Sequence, residues 1–190
     1  MDSDQPLDHE ARLQLITNMI NQAKGNIQYS AFYFLLWGWV VLLGNTTHYC
    51  LANFTEVQAP FAAWLITIPA GFASAIYGYR KRKRKTHRSH YDTILGMIWL
   101  AFIIAFIVLQ FSAPKVYDHI SPMILLLAGV ATFLTGVTIR YKPIVLGAIV
   151  FWACAMASFY STENTQLILS SVAVIGGYLI PGYMLRNRKA

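Results

Sequence analysis

Charge is what this chain has least of. Only 12% of its 190 residues are Asp, Glu, Lys or Arg, against about 25% in a soluble domain. Apolar residues make up 56%, above the usual ~45–50%. That leaves too little polar surface to coat a water-soluble globule. Acidic residues are the scarcer kind: eight Asp and Glu stand against fifteen Lys and Arg, for a net charge of +7. A basic excess can signal nucleic acid, but here it is confined to short gaps between apolar runs. The basic run RKRKRK at 80–85 has no aromatic residue interleaved for base stacking, so no nucleic-acid partner is expected. Cysteine is scarce too. Cys50 and Cys154 make no disulfide framework and fall at different expected depths, so they are not expected to pair. The polar start MDSDQPLDHE is unlike a cleavable signal peptide. The first apolar run is therefore expected to act as its own insertion signal.

Chemical motifs are missing as well. The chain contains no GxSxG, HExxH, CxxC, P-loop or GxGxxG. No catalytic residue, cofactor or metal is expected, and the balance leans away from an enzyme.

What the chain does have is length without charge. Six apolar stretches lie at about 29–51, 60–79, 91–112, 120–139, 143–160 and 166–185, and none carries Asp, Glu, Lys or Arg away from its ends. Roughly 20 apolar residues suffice to cross a bilayer as a helix. Only helices and closed barrels satisfy their backbone in lipid, and these runs lack the alternation of barrel strands. The expected fold class is all-α: a polytopic membrane protein of six transmembrane helices arranged as three hairpins. The expected domains are a cytoplasmic amphipathic helix at 1–28 and a transmembrane bundle at 29–190. The missing mid-membrane charge argues against an ion-coupled pump.

Direction follows from the loops. Of the fifteen Lys and Arg, all but Lys115 fall on one side of a six-span arrangement. The positive-inside rule makes that side, and both termini, cytoplasmic. Arg80, Lys81, Arg82, Lys83, Arg84, Lys85 and Arg88 are first a topology signal. They are also suited to anionic lipid headgroups, at about 1 kcal/mol per basic residue near the surface.

The segment 7–28 is different. Leu13, Ile16, Ile20, Ala23 and Ile27 recur at helical spacing. Pro6 suits a first turn with Asp4 or Gln5 as cap, and Asp8 and Glu10 suit the positive end of a helix dipole. Gly25 is expected to act as a hinge before the membrane. The stripe either packs on the inner membrane surface or the base of the bundle, or docks a cytosolic protein partner.

A shift of 58 residues aligns Tyr33 with Tyr91, Gly38 with Gly96, Gly71 with Gly129 and Gly78 with Gly136. It also aligns Ala70, Ser74 and Gly78 in run 2 with Ala128, Thr132 and Gly136 in run 4. Small residues every four positions make flat faces that let helices approach closely in lipid. These six are the expected helix-packing residues, within one chain or between copies in a homo-oligomer.

Polar residues gather toward the outer face: Asn45, Thr46, Thr47 and His48, then Asp118 and His119, then Glu163. His and carboxylates can bind metal or move protons, but none has ligand spacing; the alternative for Asn45–His48 is hydrogen bonding between helices, often worth about 0.6 kcal/mol in membranes. His48, Asp118, His119 and Glu163 are expected to be solvated and too far apart to share an ion. Gln110, Ser170 and Ser171 read as interfacial. Pro181, beside Gly176, Gly177 and Gly182, is expected to kink or loosen the last helix.

The stretch AKGNIQYSAFYFLLWGWVVLLG, residues 23–44, resembles the start of a group of small, uncharacterised bacterial integral membrane proteins. In these an AK-x-x helix runs into an LLWGW span. The resemblance covers roughly the first 45 residues. It implies a bacterial cytoplasmic (inner) membrane and no activity. The expected function is a non-enzymatic sensor or scaffold acting through a partner or self-association. Two alternatives stand beside it. One is a carrier or channel for an uncharged or lipid-like solute, lined by Asn45, Thr132, Thr135 or Ser170. The other is an outer-face enzyme using His48, Asp118 and His119.

Overall fold

Runs this apolar have one economical backbone, because each N–H must find a carbonyl within its own segment. The computed structural model describes residues 9–55, 59–84 and 90–187, with the side chains of 9–30, 81, 82, 84, 90, 91, 114 and 117 excluded. Among the described residues every regular element is helical. The helices are α1 (His9–Phe54), α2 (Thr67–Arg84) entered through a 3-10 helix (Pro60–Ile66), α3 (His90–Val116), α4 (Ile120–Thr138), α5 (Lys142–Ser158), α6 (Glu163–Val174) and α7 (Ile180–Arg186). A π-helical turn, Ile175–Leu179, fuses α6 and α7 into one rod.

Four stretches are long and apolar enough to cross a membrane: Pro60–Arg80, Asp92–Ala113, Ile120–Thr138 and Glu163–Arg186. The helix α5 is apolar but has 17 residues, or about 25 Å of rise against a hydrocarbon core of about 30 Å. The apolar part of α1 is interrupted by Asn45, Thr46, Thr47 and His48.

Two expectations are corrected here. No hinge occurs at Gly25: α1 is one helix of 46 residues, about 70 Å long. A lone glycine weakens a helix by about 1 kcal/mol without breaking it. The second apolar run is not uniformly α-helical. It winds as a 3-10 helix up to Ile66, just before Pro69, which has no N–H for the Leu65 carbonyl. The expected hairpin partners pack on each other, and the hairpins also pack on one another. The most extensive helix contact is α4 with α5, which belong to different expected hairpins, while α1 packs on the 3-10 helix, α6 and α7.

The centre is made by α1, α4, α5 and the α6–α7 rod. Phe34, Leu125, Ile144, Phe151, Val174 and Tyr178 form its buried core. Half of the apolar stretch in Glu163–Arg186 is buried, against none of that in Asp92–Ala113. So α3, like most of α2, is peripheral. Close approach at the centre needs glycine. A Cβ on Gly147 would lie 2.9 Å from the Gly177 Cα and oxygen, so α5 and the rod meet backbone to backbone. The π-turn carrying Gly177 has a local cause. Pro181 cannot donate to the carbonyl four residues before it, and a widened turn offers longer-range bonds instead, as with the Ile180 N–H to the Ile175 oxygen.

A three-residue turn joins α4 to α5. The Tyr141 N–H bonds to the Gly136 oxygen at 2.9 Å and the Arg140 N–H to the Val137 oxygen at 3.1 Å. This is a Schellman motif, which needs a left-handed residue at its centre. Glycine usually serves there. Here Arg140 does, at φ 53°.

Candidate functional site

Asn45 and His48 are one turn apart on α1, and Glu163, Gln166 and Ser170 lie at three- and four-residue spacings on α6. Both pairs of spacings put side chains on a single helix face, and these two faces meet. The Asn45 amide donates to the Ser170 hydroxyl at 3.0 Å. Asn45 is 1% exposed and Ser170 7%. Ser170, expected to be interfacial, is instead buried in the bundle, and Asn45 makes a hydrogen bond between helices, one of the two roles open to the Asn45–His48 stretch. A lone amide in an apolar core costs several kcal/mol unless paired, and the pairing is across the helices.

Nearer the Phe54 end of α1 on the same seam, the Trp64 indole N–H donates to His48 Nδ1 at 3.2 Å. That bond requires a lone pair on Nδ1, so the proton of neutral His48 sits on Nε2. Nε2 is 3.9 Å from a carboxylate oxygen of Glu163, too far for a hydrogen bond. The imidazole is thus held in one tautomer by an aromatic side chain from the 3-10 helix. His48 is 9% exposed, which corrects its expected solvation, and it is close to Glu163 rather than remote from it.

Asp118 and His119 do not join this group. Both are exposed. The Asp118 carbonyl accepts from Gln166 at 2.9 Å, and the same amide donates to the Ser161 carbonyl at 3.2 Å. Gln166 therefore ties the α3–α4 connection to the α5–α6 connection. The His119 ring packs edge-on against Phe159, with centroids 5.9 Å apart. Among the described residues no three His, Cys, Asp or Glu side chains form a group able to hold a metal ion. The cysteines are free, Cys50 exposed and Cys154 buried.

Deeper in the bundle, Thr132 and Thr135 are fully enclosed and donate to the Ala128 and Ala131 carbonyls at 2.6 and 2.7 Å. Thr132 is also the side-chain partner of the Tyr178 hydroxyl.

The small-residue faces have unequal surroundings. Ala128, Thr132 and Gly136 are buried, and a Cβ on Gly136 would stand 2.8 Å from the Val145 nitrogen. In α2, Ala70 is buried while Ser74 and Gly78 are half-buried. Tyr33 of α1 donates to the Ser74 carbonyl at 3.2 Å. The positions matched by the 58-residue shift diverge: Gly129 is pressed against Trp152, whereas Gly71 has open space. Likewise Gly38 meets Leu179 and Gly96 meets nothing within 4 Å.

Of the basic run, Arg80, Lys81, Arg82, Lys83 and Arg84 extend α2, where cations suit the negative end of the helix dipole. Arg80 and Lys83 are exposed. Lys85 and Arg88 lie outside the described residues, as do Asp4, Gln5 and Pro6 and the side chains of the 7–28 stripe.

The Asn45–Ser170 and Trp64–His48 pairings were not read from sequence. The available signal was an amide within an apolar run, which must find a partner, but its partner lies 125 residues away. Comparison with protein-family models, with curated proteins and with solved structures returns no match.

Proposed function

We propose that this protein is a non-enzymatic, multi-pass protein of the bacterial cytoplasmic membrane that senses or scaffolds through self-association or a protein partner. In this reading α1 and the 17-residue α5 also span, giving six crossings with both termini in the cytoplasm. Support for the direction is the Lys and Arg asymmetry. Support for the bacterial setting is the resemblance of residues 23–44. The short α5 is accommodated by tilt and local thinning of the bilayer, each at a modest cost.

One observation carries the choice over a carrier. The four polar residues that would line a solute path are consumed internally. Asn45 and Ser170 bond to each other, and Thr132 and Thr135 bond to backbone. Each is less than a tenth exposed, so no water-sized passage opens on them. Open space lies at the surface: α2 and α3 present Gly71 and Gly96 with nothing within 4 Å of an added Cβ, amid exposed Phe72, Ile76, Met97 and Leu100. Exposed apolar faces with small residues suit a helix from another chain in lipid. The 7–28 stripe offers a cytosolic protein a second contact.

The test is Gly71→Cys and Gly96→Cys, treated with a short bifunctional thiol reagent in intact membranes, in a Cys50→Ser background. Linked products containing this chain, with itself or with another protein, are expected from at least one of the two. Only unlinked chain from both would refute the proposal.

A further inference from the structure

The α4–α5 turn and the end of α7 border an open surface depression with about 740 Å³ of accessible space. Residues 140–143 form one wall, and Tyr183, Met184 and Asn187 the other. Two cations, Arg140 and Lys142, stand at its mouth, both exposed. Among the described residues neither lies within ion-pair distance of a carboxylate. The cleft thus concentrates positive charge that nothing described in the protein neutralises.

We propose that this cleft binds the phosphate of an anionic phospholipid headgroup. The donors are of the right kind and placed from two sides. The Arg140 guanidinium offers a planar fork that matches phosphate oxygens, and Lys142 adds a point charge. Tyr183 accepts the Trp39 indole N–H at 3.1 Å, which orients its hydroxyl and leaves the phenolic proton to donate. The Asn187 amide has two donor hydrogens of its own. The N-terminus of α5 adds its positive dipole end but few amides. Pro143 has no N–H, and the Ile144 N–H is bonded to the Tyr141 oxygen at 3.2 Å. Side chains must therefore do the holding.

The backbone points the same way. Arg140 occupies a left-handed position that glycine fills with less strain. An arginine there projects its side chain from the tip of the turn rather than along a helix flank. The occupant is a lipid rather than a soluble anion because the cleft has apolar walls. Pro143, half-buried, and Met184, exposed, line it, and a glycerol backbone and the first acyl carbons would rest against them. This site is distinct from the run at the end of α2. It depends on the membrane reading of the fold, but not on self-association.

The test uses the full chain, extracted from membranes into neutral detergent. Dioctanoyl phosphatidylglycerol, dioctanoyl phosphatidylcholine and inorganic phosphate are titrated in turn. Binding is followed by native mass spectrometry and by the rise in unfolding temperature. One phosphatidylglycerol per chain is expected, bound more tightly than either other probe. Arg140→Gly should weaken it about fivefold, and Arg140→Gly with Lys142→Gln about 25-fold, from the strength of one basic residue at an anionic surface. Without lipid, Arg140→Gly should unfold no earlier than the parent, which separates binding from folding. Lys142→Gln alone, at an exposed position, reads the site if Arg140→Gly folds poorly. Lys115→Gln should change nothing. Parental affinity in both single variants would overturn the site. Inorganic phosphate bound as tightly as phosphatidylglycerol would overturn the lipid as occupant. A chain that does not sediment with membranes would instead refute the membrane reading itself.

Discussion

Asn45 shows what a single polar residue does in an apolar bundle. Its amide has one side-chain partner, Ser170, at 3.0 Å. Hydrogen bonds between helices in lipid average about 0.6 kcal/mol and reach about 1.7. A double-mutant cycle of Asn45→Ala and Ser170→Ala, read by unfolding in detergent, should return a coupling energy of about 0.6 to 1.7 kcal/mol. A coupling near zero would mean that water or another group serves both equally well. Arg140 is the opposite case, a residue that opposes its own backbone. The left-handed conformation costs a non-glycine residue roughly 1–2 kcal/mol. Arg140→Gly should therefore raise unfolding stability in neutral detergent by about 1 kcal/mol, part of the gain being offset by the greater freedom of glycine in the unfolded chain. A loss of stability would show that the Arg140 side chain holds the turn together.

At the scale of elements, the same residue type has opposite consequences on different helices. A methyl group on Gly147 would sit 2.9 Å from the Gly177 backbone, where neither helix has a flexible side chain to yield. Gly147→Ala should separate α5 from the α6–α7 rod and cost about 1–3 kcal/mol, as overpacking does elsewhere. In the chain dispersed singly in detergent, Gly71→Ala on α2 adds its methyl to open space and should cost nothing, or stabilise by up to about 1 kcal/mol through helix propensity. Thermal unfolding of the two variants side by side decides this. Equal effects would mean that α2 is covered as tightly as α5. The contrast also bears on the 58-residue shift. Gly71 and Gly129, or Gly38 and Gly96, occupy matched positions but unlike surroundings. Any common origin of the two hairpins is therefore not expressed as a shared packing role.

For the whole molecule the decisive property is direction. A reporter active only outside the cell should be silent at the C-terminus and active when inserted after Thr162. The reverse pattern would overturn the six-span arrangement together with its cytoplasmic termini. Helical class was readable in advance, because uninterrupted apolar runs leave the backbone no other way to satisfy itself in lipid. The positions of α3, α4 and the α6–α7 rod follow the runs at 91–112, 120–139 and 166–185 closely. Less of the polar seam was readable. Ser170 looked interfacial because it lies a short way into its run, yet a long α1 packs beside α6 and closes over it. His48 looked wet because it follows two threonines near a run's end. The indole of Trp64, brought alongside by the 3-10 segment, covers it instead.

Local chemistry alone determined that the chain is helical, where its apolar runs begin and end, and that its cations crowd a few short gaps. Each of these depends on residues within about 20 positions of one another, and the solvent, not the fold, imposes the rule. Tertiary structure decided the rest: that α4 packs most closely on α5, that Gly147 meets Gly177, that Asn45 meets Ser170, and that Arg140 and Asn187 share a cleft. In lipid a helix gains nothing from burying one apolar face rather than another, so hydropathy cannot say which face turns inward. Shape and a few hydrogen bonds make that choice, and both belong to pairs of residues far apart in the chain.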